Sequence, residues 1–144
     1  MKWCWICLLN VSILHAQVDR YAVVINEIMV DPTPVVGLPN AEYIELRNCS
    51  SQPIDLNKWK IEKGTSLYVI NSSIVLKPDS LIVLCSKTNL PYFNSNIRTI
   101  ALSSFPTLTN DEGVIALKSA DHKTIHAVSY QSALHENAIK ANGG

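Results

Sequence analysis

Residues 42–48, Glu-Tyr-Ile-Glu-Leu-Arg-Asn, are the stretch that decides the fold. Two sets of side chains face opposite sides of this stretch when it is extended: Ile44 and Leu46 against Tyr43, Glu45 and Arg47. Such alternation is typical of a strand with one buried and one solvated face. The polar Ser-Ser-Gln-Pro segment that follows then turns the chain. We therefore predict a half-buried β-strand here.

The flanking sequence repeats this pattern of short apolar stretches separated by turns. No window places apolar residues at helical spacing over three turns, and Pro or Gly recurs every ten to fifteen residues or so. We predict strands over residues 22–30, 81–85, 97–102, 113–118 and 124–130, a turn leading into a strand over 54–61, and two short runs over 67–76. Seven or eight such strands favour a β-sandwich with Trp59 in its core.

Two of these strands carry additional information. Residues 81–85 are uniformly apolar, which indicates a central strand covered on both faces. Residues 119–123 separate the last two strands and predict a β-hairpin with His122 at its tip.

Composition bounds the class of protein. The chain has 144 residues, enough for one domain with a real core. Its 12 basic and 12 acidic side chains cancel, which excludes the charge pattern of a nucleic-acid binder or a polybasic membrane adsorber. With 47% apolar and 17% charged residues, the chain should fold.

The amino-terminal segment, residues 1–16, is predicted to be a signal peptide. One lysine precedes an apolar stretch of about a dozen residues, and Ala16 is a plausible cleavage residue. A membrane-spanning helix would need roughly 20 apolar residues. We expect a secreted or cell-envelope associated protein, extracellular or periplasmic, with no transmembrane span after cleavage. An uncleaved anchor is the alternative, because Leu14 is large for its position.

Of four cysteines, only Cys49 and Cys85 reach the mature chain, because Cys4 and Cys7 leave with the signal. Cys49 lies in a turn-like segment and Cys85 ends an apolar strand, so two unpaired thiols are favoured. Export leaves a disulfide between them open.

Four patches then occur in an order and spacing that resemble a known family. They are Ile25, Asn26, Glu27, Ile28; Glu42, Tyr43, Ile44, Glu45, Leu46; Pro53, Ile54, Asp55, Leu56 with Trp59; and Val128, Ser129, Tyr130. Together with the turn at residues 77–79, they resemble the lamin tail domain family in its bacterial secreted form, over nearly the whole mature chain.

This resemblance implies an all-β, immunoglobulin-like β-sandwich without catalytic residues or cofactors, found in exported multidomain proteins. It assigns structural roles to the matching motif residues: Asn26, Glu27, Glu42, Tyr43, Glu45, Leu46, Asp55, Leu56, Trp59 and Tyr130. The sandwich would occupy residues 17–131. In similar proteins a closing strand follows a stretch like residues 140–144, so the tail 132–144 is expected to be an incomplete last-strand region that leaves a sheet edge bare. Whether the chain is a fragment of a longer protein stays open.

The sequence gives little support to two hypotheses for the carboxylates, a calcium site and a glycosidase acid–base pair. The carboxylates Glu27, Asp31, Glu42 and Glu45 could converge on calcium, but they lack the dense Asp and Gly loop of such sites. As a glycosidase acid and base they would need a substrate cleft.

Other residue types offer little more. The histidines have no zinc-helix spacing, and the chain contains no Gly-x-Ser-x-Gly elbow. Asn48 and Asn71 begin Asn-x-Ser glycosylation sequons. A carbohydrate-stacking platform would have to come from Tyr43, Tyr68, Tyr92, Phe93 and Phe105.

We therefore predict a non-catalytic secreted binding or anchoring module within a larger cell-envelope or extracellular protein. Its partner would be a protein or a cell-surface component, bound by surface complementarity or by strand addition at a sheet edge. The alternatives are a carbohydrate-binding module and an accessory domain of a secreted hydrolase. The sequence leaves the partner and the oligomeric state open.

Overall fold

The computed structural model describes residues 18–132, which form ten β-strands and one 3-10 turn. The strands are β1 Val23–Met29, β2 Tyr43–Asn48, β3 Ile54–Asp55, β4 Lys60–Lys63, β5 Ser66–Val69, β6 Val75–Leu76, β7 Leu81–Ser86, β8 Thr99–Leu102, β9 Glu112–Lys118 and β10 Thr124–Gln131, with the 3-10 turn at Leu90–Tyr92. The predicted signal peptide and residues 133–144 of the tail lie outside the described residues.

The first sheet has the order β1-β2-β7-β8 and is built around the strand that opened the sequence analysis. β2 pairs antiparallel with β1 and with β7, and β8 runs parallel to β7. Ile44 and Leu46 of β2 are fully buried, as their alternation predicts. β1 ends just before Asp31-Pro32, where proline removes a backbone donor and the chain leaves the sheet.

The second sheet has the order β10-β9-β4-β5. β9 and β10 form the predicted hairpin, and His122 lies in its turn with a left-handed φ of 67°. Ile115 and Leu117 of β9 face inward, while Val114, which precedes them in the strand, faces solvent. The sheet therefore has one face for the core and one for water.

The two sheets enclose one hydrophobic core. Its fully buried side chains include Val23, Ile44, Leu46, Leu56, Ile61, Ile70, Leu76, Ile82, Leu84, Ile115, Leu117 and Ile125. Trp59 is 2% exposed and belongs to this cluster, as predicted. Burying each large aliphatic side chain contributes roughly 1.5–3 kcal/mol, so this enclosed hydrocarbon dominates the favourable free energy of folding.

A second apolar cluster lies on the outer face of the first sheet. Met29, Tyr43, Val83 and Cys85 are buried there, and Phe93 from the β7–β8 connection packs on them. β7 is thus covered on both faces, as its uniformly apolar sequence predicts. Tyr43 was predicted on a solvated face, but it is 4% exposed because this connection folds back over it.

The strand count differs from the prediction of seven or eight. The two runs predicted within 67–76 form β5 and β6, and the segment 54–61 contains the short strand β3 before its turn at Asn57, in addition to the strand predicted after the turn. Asp55 stabilises this turn by accepting a hydrogen bond from the Asn57 backbone N–H at 2.9 Å. The two-residue strands β3 and β6 pair with each other as a small third sheet.

Candidate functional site

Four motif side chains form two hydrogen-bonded pairs on strands β1 and β2. Tyr43 Oη donates to Glu27 Oε1 at 2.5 Å, and Asn26 Nδ2 donates to Glu45 Oε1 at 2.8 Å. A β-bulge at Asn26 interrupts the β1–β2 register, and Glu27 lies directly opposite Glu45. Like charges in that position repel. Each carboxylate receives a neutral donor, so the four side chains tie the two strands together.

The raised pKa of Tyr43 is consistent with this donor role. Burial, followed by the hydrogen bond to Glu27 and the negative charges of Glu27 and Glu45, raises the pKa of Tyr43 well above its usual range. The phenol therefore stays protonated and donates a hydrogen bond to Glu27. Its ring packs edge-on against Phe93, with centroids 5.6 Å apart. We conclude that Tyr43 is a structural member of the second apolar cluster.

The four carboxylates considered as calcium ligands each accept a hydrogen bond from a different protein donor. Glu42 Oε2 accepts from the Leu108 backbone N–H at 3.4 Å, and Asp31 Oδ1 accepts from the N–H of Thr33 at 3.2 Å in its own turn. Over residues 18–132, no three His, Cys, Asp or Glu side chains are grouped in a way that could hold a metal ion. Glu27 and Glu45 are engaged by Tyr43 and Asn26.

A polar depression lies beside the end of β10. It is lined by Thr109, Asp111, Glu112, Gln131 and Ser132. The carboxylates considered as a glycosidase acid and base, on β1, on β2 and in the loop between them, are not part of this lining. The depression therefore does not supply the cleft which that chemistry requires.

Four further motif residues, three buried and one exposed, have structural roles. Leu46, Leu56 and Trp59 are buried in the main core. Asp55 Oδ1 accepts from the backbone N–H of Ile74 at 3.1 Å, and Asp55 Oδ2 accepts from Ser73 Oγ at 3.1 Å. Asp55 thus joins the two sides of the small third sheet.

Tyr130 makes an unusual contact across the last hairpin. It lies opposite Gly113, and its ring occupies the space that a side chain on residue 113 would fill. A Cβ atom there would stand 2.7 Å from Tyr130 Cε1. Tyr130 Oη is buried and has no hydrogen-bond partner among the described residues. The glycine is therefore required by the close approach of the aromatic ring.

Asn48 is a structural centre that the sequence analysis did not identify. Its side chain is fully buried, and Nδ2 donates to the carbonyl oxygens of Gln52 and Leu76, both at 2.8 Å. Its Oδ1 accepts from the N–H of Ser50 at 2.9 Å and from its hydroxyl at 2.7 Å. A glycan on Nδ2 would break this arrangement, so of the sequons at Asn48 and Asn71 the one at the exposed Asn71 is accessible.

The cysteines lie at opposite ends of the first sheet. Cys85 pairs in register with Tyr43, whereas Cys49 follows Asn48 at the other end of β2. Six residues of extended chain span roughly 20 Å, far beyond the reach of a disulfide. Both thiols are free. Burial raises the pKa of the Cys85 thiol to about 11, so it is unreactive in the folded protein.

The histidines form no catalytic or zinc arrangement in the described range. His122 is exposed, and His126 Nδ1 accepts from the backbone N–H of Ile25 at 2.9 Å. Neither imidazole is hydrogen-bonded to a serine hydroxyl or to a carboxylate there. His135 lies outside the described residues.

The five aromatic residues considered as a sugar platform are dispersed. Tyr43 is buried under Phe93, and Tyr68 and Phe105 pack against the main core. Of the five, only Tyr92 is strongly exposed, at 57%. A stacking surface needs several exposed flat rings side by side, and these residues do not supply one.

Of the eleven large apolar side chains exposed on the described residues, five lie in two segments at one end of the sandwich. The β1–β2 loop and the β7–β8 connection leave the first sheet at the same end, and Asn89 Nδ2 donates to the Glu42 carbonyl between them at 3.4 Å. Near this end the two segments expose five large apolar side chains, which we call the loop-tip patch: Val35, Val36, Leu38, Leu90 and Tyr92. Ile97, the other exposed apolar residue of the β7–β8 connection, lies just before β8, at the opposite end of the sheet. Within residues 18–132, no helix is long and apolar enough to cross a membrane.

Two facing β-sheets around a single core define an all-β, immunoglobulin-like β-sandwich. The family model of the Lamin Tail Domain matches residues 17–132, and the chain belongs to that family. This is a family of immunoglobulin-like domains without catalytic activity. No curated protein matches the chain in sequence.

Proposed function

We propose that this protein is a non-catalytic binding or anchoring module, exported from the cell and acting within a larger cell-envelope or extracellular protein. Membership of the lamin tail domain family supports the non-catalytic role. The apolar segment at residues 3–14, preceded by Lys2, supports export. The observation that carries the binding role is the loop-tip patch.

The physical chemistry of the patch suits recognition. Its five side chains are between 41% and 57% exposed, and contact with a partner would remove that apolar surface from water. The β1–β2 loop has no charged residue from Pro32 to Ala41, so a partner would bury little charge there. Prolines at 32, 34 and 39 restrict the unbound loop, which lowers the entropic cost of binding. A rigid sandwich thus presents an apolar loop.

Site-specific photocrosslinking in the producing cells tests this role. A photoreactive amino acid replaces Val36 in the patch or, as the matched control, Val114, which is 61% exposed on the second sheet. We expect a discrete higher-mass adduct from position 36 that is absent from position 114. Equal adducts at both positions, or none at position 36, would contradict a binding role for the patch.

Export is tested separately. The protein should be recovered outside the cytoplasm with Gln17 as its first residue, because we place signal cleavage after Ala16. Recovery of the intact chain from the cytoplasm would overturn export and leave the binding result unaffected.

A further inference from the structure

The segment before β1 is fastened to β10 along one side of the sandwich. The Tyr21 backbone N–H donates to the Ile125 carbonyl oxygen at 2.9 Å, and Lys123 Nζ donates to the carbonyl of Val18 at 2.9 Å. The Tyr21 ring packs edge-on against His126, with centroids 5.8 Å apart. We call residues 18–22, which precede β1, the strap, and the line of contacts that the strap and β1 make with β10 the seam.

The fourth contact along this seam is a side-chain hydrogen bond. The Ile25 N–H belongs to β1, an edge strand whose only neighbour in its sheet is β2. That N–H donates to His126 Nδ1 at 2.9 Å. A β-bulge at Ile125 displaces His126 from the regular alternation, while Ile125 itself stays in the core. The imidazole therefore takes the place of a neighbouring strand at this point of the edge.

We propose that His126 is a pH-sensitive fastener, which holds the strap and the β1 edge against β10 at neutral pH and releases them when the imidazole is protonated. An acceptor nitrogen must carry a free lone pair, so the proton of the neutral ring resides on Nε2. Protonation of Nδ1 removes that lone pair and sets one N–H against another. The other two hydrogen bonds of the seam, from the Tyr21 N–H to the Ile125 carbonyl and from Lys123 Nζ to the Val18 carbonyl, do not use the imidazole.

The surroundings favour the neutral ring. Burial lowers the pKa of His126, and the residue forms no ion pair within the described range. Arg20 lies over the Tyr21 ring at 5.6 Å and adds positive charge to the same seam. The ionisable groups on the elements packed around the imidazole are Asp19, Arg20 and Tyr21 before β1, Glu27 on β1, Glu112 and Lys118 on β9, Lys123 just before β10, and Tyr130 on β10. Glu27 bonds to Tyr43, and Lys118 Nζ lies 3.4 Å from Glu62, so both are already paired.

The sign of the pH effect follows from linkage. The unfolded chain takes up a proton on this residue at a higher pH than the folded protein does. The stabilisation is therefore complete at neutral pH, above the ordinary histidine value of about 6.5, and is lost as pH falls through the pKa of folded His126. The released Ile25 N–H and Ile125 carbonyl would become unpaired edge groups.

Amide hydrogen exchange by NMR, on protein expressed from the full-length chain, tests the proposal. We expect the protection factor of the Ile25 amide to fall about five- to tenfold between pH 7.5 and pH 5.0, the effect of losing one ordinary hydrogen bond. The amides of β2 should keep theirs. The Ile25 change should share its midpoint with the His126 imidazole resonances.

Three variants make the result decisive. His126→Asn places an amide oxygen near the position of Nδ1, so Ile25 should stay protected at both pH values. His126→Leu should lose protection at both. His122→Asn, at the exposed hairpin tip, should behave as the parent. Should His126→Leu fail to fold, His126→Asn still decides. An Ile25 protection factor that stays constant through the His126 titration, an unchanged pH response in His126→Asn, or an equal loss at every amide would overturn the proposal.

Discussion

Replacing Asn48 by Asp changes one NH₂ group into an oxygen and leaves the side-chain shape intact. In the folded protein that NH₂ group donates to the carbonyl oxygens of Gln52 and Leu76, both at 2.8 Å. An ionised carboxylate cannot donate, so it would present an oxygen to two carbonyl oxygens in a fully buried position. The Ser50 contacts survive, because they need only an acceptor.

The magnitude follows from these two bonds. Leaving a buried hydrogen-bonding group without its partner costs roughly 1–3 kcal/mol, so the loss of both donors should lower the free energy of unfolding by about 4 kcal/mol at pH 7. A domain of this kind has about 5–15 kcal/mol in total. The introduced carboxyl has its pKa raised by burial and by the facing carbonyls. A raised folded-state pKa means that stability is regained at low pH, below the unfolded value near 4, and lost as pH rises.

Urea unfolding followed by far-ultraviolet circular dichroism, at pH 7 and at pH 4, measures this effect relative to the parent. The matched control is Asn71→Asp, an exposed position whose Oδ1 accepts from Lys58 Nζ at 3.0 Å and can still do so as a carboxylate. We expect the control to change stability by no more than about 0.5 kcal/mol. The reasoning fails if Asn48→Asp costs less than about 1 kcal/mol, matches the control, or is no less destabilising at pH 4.

Three further predictions concern the core, the last hairpin and the thiols. Trp59→Ala should lower the free energy of unfolding by about 3–5 kcal/mol in urea titration, since Trp59 is 2% exposed; a loss below 1 kcal/mol would remove it from the core. Gly113→Ala should cost about 1–3 kcal/mol because its Cβ meets the Tyr130 ring, and a double-mutant cycle with Tyr130→Ala should show that the two costs are not additive; additive costs would contradict the contact. A maleimide at pH 7 should label Cys49 in the folded protein and Cys85 only after unfolding, as read by mass spectrometry; equal labelling rates would refute the burial of Cys85.

The strands that could be predicted are those whose burial pattern is set by residues adjacent in the sequence. Residues 42–48 alternate strictly, so the burial of Ile44 and Leu46 follows from the two-residue period of an extended chain. The last hairpin was predictable for the same reason, because its two strands and its turn are contiguous. Strand count was less predictable, since the two-residue strand β3 lies in a segment whose residues indicated a turn.

The geometry of the candidate site depends on contacts between residues far apart in the sequence, which a local pattern does not predict. The Ile25 N–H and His126 are 101 residues apart, and Asn48 and Leu76 are 28 apart. Tyr43 alternates onto the outer face of its strand, yet the β7–β8 connection buries it with Phe93. A signal for Asn48 existed in its position at the end of an apolar strand before a serine-rich turn, but the same residues also read as a glycosylation sequon.

The immunoglobulin-like form of the sandwich was implied by the family resemblance. The sequence by itself determined that this chain forms short strands, that Ile44 and Leu46 face inward, and that the strands are numerous enough for a β-sandwich. These properties arise from the period of side chains along an extended backbone and from turn residues, both of which are local. Only the tertiary structure decided which polar groups form internal hydrogen bonds, which loops contribute to the loop-tip patch, and which groups hold the strap. Those outcomes depend on atoms brought together across the whole chain, where burial and hydrogen bonding are settled by neighbours in space.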